Sequence, residues 1–149
     1  MESLINYSVQ EEPSVRFFRE IKSNLSFTST QKTVKLIRTI LAAVRKGLSH
    51  EQASVVIKNL PGLFQLLFIT NWKYEEPDTS INHLDELVEH LYQADQKSKD
   101  SLFTSEIDTL NTVILVLSKL DRFFGILGLN VLRYSLTQEI KQAAMEDAA

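Results

Sequence analysis

Apolar residues recur every three or four positions along most of this chain, and that rhythm constrains the fold more than any other feature. Between residues 34 and 48 they are Val34, Ile37, Ile40, Leu41, Val44 and Leu48, the spacing of one helix face. The spacing returns in Ile107, Leu110, Val113, Ile114, Leu117 and Leu120, where it outweighs the strand-like run VILVL. Four glycines and three prolines in 149 residues are too few for a many-stranded sandwich or barrel. The sequence therefore predicts an all-α protein of about eight helices in one domain, residues 1–149.

Cap and breaker residues place the helices. Pro13 opens the first, SVRFFREIKSNL, with Val15, Phe18, Ile21 and Leu25 on its apolar side. Ser29 or Thr30 caps a second that ends at Gly47. Ser49-His50-Glu51-Gln52 reads as a capping box for a third, which stops near Asn59 because Pro61 disfavours helical geometry before it. Pro61 opens a fourth, PGLFQLLFITNW, apolar nearly all round and hence expected in the interior. Lys73 to Thr79 lacks periodicity and is the expected connecting loop. Ser80 is expected to cap a helix over about 81–95, and Thr104 or Ser105 to start another. Asp121 is expected to cap a seventh helix containing Phe124, Leu127, Leu129 and Leu132, with the last near 136–147. Gly125 and Gly128 each cost such a helix about 1 kcal/mol relative to Ala, which implies a bend or close packing there.

The two halves match in order and kind. Val34, Ile37, Ile40, Leu41 and Val44 fall on Ile107, Leu110, Val113, Ile114 and Leu117 at an offset of 73, and Ala53, Val56 and Leu60 on Leu129, Leu132 and Leu136 at 76. The expectation is two related four-helix repeats, about 13–72 and 80–147, sharing one core. The run LSHEQASVVIKNLPGLFQLLFITNWKYEEP, through Leu48, Ser49, Ala53, Leu60, Pro61, Trp72 and Pro77, resembles the bacterial family catalogued as domain of unknown function 2267. Asn59 and Leu136-Thr137 depart from that family's Gln and second Leu-Pro. The resemblance implies a paired-repeat helical fold and brings no catalytic residues.

Composition bounds the function. With no cysteine, disulfide frameworks, cysteine-ligated metal and cysteine nucleophiles are excluded. Glu2, Glu11 and Glu12 stand where a secretory signal needs a basic flank and an apolar run, so a cytoplasmic location is expected. The uncharged stretch Leu60 to Trp72 is 13 residues, short of the ~18 that span a bilayer. Net charge is −3, but residues 1–70 hold nine basic and five acidic residues, and residues 71–149 hold seven and fourteen. The chain is electrically dipolar.

Two candidate surfaces follow. Lys32, Lys35, Arg38, Arg45 and Lys46 form a basic side of the second helix, expected to face the acidic helix around Leu84–Leu91 or its copy in another molecule. Weak binding of anionic polymers or membranes through that side is the lesser alternative. An acidic chain without an aromatic platform or recognition motif argues against a nucleic-acid partner. Phe64, Phe68, Trp72 and Tyr74 form an aromatic string, read as core plus a lid and as the place for an apolar small-molecule pocket. His83, Glu86 and His90 share one side of a helix, but that side points away from the apolar face, so no metal site is expected. Ser49, Ser80 and Ser105 serve better as caps than as nucleophiles, and no phosphate-loop, dinucleotide or nucleophile-elbow pattern occurs. The expected function is a non-catalytic interaction or scaffold protein, self-associating or bound to a protein partner, without a cofactor.

Overall fold

A computed structural model of the chain describes residues 12–25, 29–73 and 75–148, the side chains of 147 and 148 excepted. Among the described residues there are seven α-helices and no strand: α1 (Pro13–Asn24), α2 (Thr30–Lys46), α3 (His50–Lys58), α4 (Gly62–Ile69), α5 (Leu84–Gln96), α6 (Glu106–Phe124) and α7 (Tyr134–Ala148). A single 3-10 turn, Ile126–Leu129, joins α6 to α7. The all-α expectation holds.

Local chemistry explains the starts. Ser29 Oγ accepts the Lys32 amide at 3.3 Å, and Ser105 Oγ the Asp108 amide at 3.0 Å. Ser49 and Gln52 exchange both bonds of a capping box, at 3.1 and 2.9 Å. Ser80 does not cap α5. Its hydroxyl donates to Asp78 Oδ1 at 2.5 Å, and the helix waits until Leu84, where Glu86 Oε1 accepts the Asn82 and His83 amides at 3.0 and 2.9 Å.

The expected eighth helix is absent among the described residues. Asp121 lies inside α6, which runs on to Phe124 and is ended by Gly125 at φ 67°, a left-handed residue. Asp121 Oδ1 instead accepts the Leu127 amide at 3.0 Å and so secures the 3-10 turn. The fourth helix likewise ends at Ile69 rather than Trp72, since Asn71 takes φ 58°. In α1 the inward positions are Ser14, Phe17 and Ile21, and Val15 is exposed. Phe17 decides that rotation, because its ring meets Phe18, Phe64 and Phe123 edge-on at centroid distances of 5.8, 5.1 and 5.8 Å.

The two long helices organise the interior. Helix α2 packs on α1, α4 and α5, while α6 packs on α1, α5 and α7. Helices α1 and α5 therefore each touch both long helices, and one core runs through the molecule. Lys119 on α6 reaches Glu20 on α1 at 2.9 Å, and that hydrogen bond holds the Glu20 carboxyl below its ordinary value against partial desolvation. At the far end, buried Asp95 accepts the Leu102 and Phe103 amides and the Ser101 hydroxyl, so the loop after α5 folds around one carboxylate.

The offset of 73 between the long helices is not the one the caps follow. It pairs half-buried Val34 with Ile107, which is 71% exposed, whereas Ser29 and Ser105 stand 76 apart.

Candidate functional site

Two of the sequence candidates meet at the C-terminal end of α2. The Arg45 guanidinium donates to the Phe68 carbonyl and, at 3.5 Å, to the Thr70 carbonyl, satisfying acceptors that the end of α4 leaves without intrahelical partners. It also lies 5.9 Å from the Trp72 ring centroid; His50 stacks on that indole at 5.7 Å and 17°, and Phe68 meets it edge-on at 6.5 Å. Partial burial lowers the Arg45 pKa, with Glu75 opposing. Arg45 and Trp72 border a cleft of about 300 Å³ whose other walls include Lys46, Lys73, Glu75, Glu76 and Asp78. The cleft is of mixed charge, with Trp72 as its aromatic surface.

The remaining basic residues reach different parts of the molecule. Lys46 Nζ lies 3.5 Å from His90 Nε2 on α5; an ammonium only donates, so this contact needs the neutral Nδ1–H imidazole. Burial first, and then Lys46, push the His90 pKa down against the pull of Asp78. Lys35 donates to the Asp100 carbonyl beyond α5 at 3.0 Å, and Arg38 lines a cleft between α2 and α5 together with Arg45, Lys46 and His90. Lys32 and Lys35 border a third recess with Lys99 and Asp100. Where contacts are resolved, the α2 cations reach carbonyls and an imidazole rather than the carboxylates of α5.

Of the aromatic string, Phe64 and Phe68 are fully buried and packed; Phe64 stacks on Phe18 at 5.2 Å and 9°. Trp72 borders the cleft beside Arg45. Tyr74 lies outside the described residues. His83 bonds Glu139 at 3.2 Å, Glu86 is occupied with backbone amides, and no group of three or more ligating side chains able to hold a metal occurs among the described residues.

No family model, curated protein or solved structure matches the chain.

Two further surfaces escape a reading by periodicity. Helix α4 turns Leu63, Leu66 and Ile69 outward, at 48%, 62% and 41% exposure, while burying Phe64, Leu67 and Phe68. Its apolarity, broken only by Gln65, conceals which side is free. Across the molecule, Leu84 and Val88 of α5 and Ile107 and Leu110 of α6 floor a groove of about 400 Å³ edged by Asp85, Glu106 and Glu139. Ile107 falls outside because α6 turns Thr109, Thr112, Val113, Val116, Leu117 and Leu120 inward, a rotation set by packing. None of the described helices is long and apolar enough to cross a membrane.

Proposed function

We propose that this chain is a non-catalytic interaction protein that works through its helix faces and pairs with a second copy through α4. The outward arc of α4 carries the reading. It comprises Gly62, Leu63, Leu66, Ile69 and Thr70 without a charge, and Leu66 sits at its centre. A helix whose only polar side chain, Gln65, is turned to the Ile57 carbonyl calls for cover on its outward apolar arc as well. The same uncharged arc on a second copy is a chemically matched cover, and a two-fold axis brings the arc against itself.

The organisation in two related units, about 13–72 and 80–147, belongs to this proposal, as do the resemblance to the domain 2267 family and a cytoplasmic setting. It is supported by parallel details at an offset of 76. Thr33 and Thr109 each donate a hydroxyl to the carbonyl of the capping serine four residues back, at 3.1 and 2.9 Å. Buried Ile37, Ile40, Leu41 and Val44 then fall on buried Val113, Val116, Leu117 and Leu120. An apolar-ligand pocket at Phe64, Phe68 and Trp72 has less support, because the two phenylalanines fill their own space.

Native mass spectrometry and sedimentation of the purified protein test the pairing. A dimer is expected, converted to monomer by Leu66→Glu with unchanged helical dichroism. A wild-type monomer at tens of micromolar overturns the pairing, and a monomer with unexplained extra mass favours the pocket.

A further inference from the structure

We propose that the groove between α5, α6 and α7 is a docking site for a cationic amphipathic helix of another protein. Three observations carry it, none of which involves the α4 arc. The floor is aliphatic, and its Ile107 is 71% exposed, left without cover by the described residues. The edge is acidic on all three contributing helices, and no lysine or arginine lines the groove. Asp85 and Glu106 belong to the first turns of α5 and α6, so they stand in solvent beside the floor.

Charge complementarity selects the occupant. A helix with apolar residues at i, i+3, i+4 and i+7 would seat them between Val88, Ile107 and Leu110, and its flanking Lys or Arg would meet the exposed Asp85 and Glu106 carboxylates, Glu139 being held by His83 and the Leu84 amide. The basic side of α2 in a second copy fits less well. Lys35, Arg45 and Lys46 of that side are already bonded within their own chain, and they surround no free apolar stripe. The partner is therefore a separate polypeptide with a cationic amphipathic segment.

A labelled synthetic helix with leucines at i, i+3, i+4 and i+7 and lysines elsewhere serves as the probe, titrated with the full chain by fluorescence anisotropy. Saturable binding that weakens with salt is expected. Both Ile107→Asn and Glu106→Lys should weaken it about tenfold or more, a loss of about 1.4 kcal/mol or greater. Glu75→Lys, at the Trp72 cleft, and Leu66→Glu, on α4, should leave it unchanged. No saturable binding, equal binding by the Ile107→Asn variant, or equal binding of a glutamate-for-lysine probe overturns the proposal. Because Ile107 and Glu106 are exposed, these variants are expected to fold, which helical dichroism checks independently. Loss of pairing in Leu66→Glu with retained probe binding separates this site from the α4 reading.

Discussion

The Asp95 carboxylate accepts the Leu102 amide with both oxygens, at 2.8 and 3.0 Å, in the interior beneath the loop after α5. Phe103 adds a third amide bond at 3.0 Å, and Ser101 a hydroxyl at 2.8 Å. A single acid thus stands in for the backbone partners that a loop entering the core cannot find elsewhere. Replacing it strands two buried N–H groups, each costing about 1–3 kcal/mol. Asp95→Ala should therefore destabilise the fold by about 2–5 kcal/mol in urea unfolding, and Asp95→Asn by less, since the amide keeps one acceptor. A change under about 0.5 kcal/mol for Asp95→Ala would contradict the role.

His90 makes stability depend on pH on the acid side of neutrality. Its folded pKa lies below the ordinary 6.5, so the unfolded chain takes up the proton first as pH falls. The His90 contribution is fully present above 6.5 and is lost progressively between 6.5 and the lowered folded value. Unfolding midpoints measured across that window should slope downward toward acid, and His90→Gln should flatten that part of the slope. Lys46→Met should flatten it in part, because burial rather than Lys46 is the larger cause. An unaltered slope in His90→Gln would assign the effect to other groups.

The two glycines after α6 should behave differently. Gly125 holds φ 67° with open space where a Cβ would stand, so Gly125→Ala pays only for the left-handed backbone, about 1–2 kcal/mol. Gly128 has no positive φ and no neighbour near that position, so Gly128→Ala should be neutral or stabilising by about 0.4–1 kcal/mol. Thermal melts of the two variants check the contrast. Equal losses would mean that the turn tolerates neither side chain for some shared reason.

Helix class and most boundaries were legible because they depend on residues close in sequence. Ser29, Ser49, Gly47 and Asn59 cap or end their helices through bonds spanning only a few positions, and all four were readable. Rotation about a helix axis was legible only where the partner was implied. Ile37 and Val113 fall inside either way, but Val15, Ile107 and Leu66 are outside for reasons set by Phe17, by the side of α6 that packs inward and by packing on one side of α4. The basic side of α2 was visible as charge, but its contacts were not. Arg45 finds the end of α4 and Lys35 the loop beyond α5 only through tertiary folding.

Helices α1 and α5 each lean on both long helices, so the chain is laced across its own middle. A cut in the segment 75–79 would leave fragments that each lack a wall for their longest rod. Neither piece is expected to hold shape alone, yet mixed together they carry matching vacancies and should reassemble, which makes that hinge a natural place to divide the protein into complementing parts.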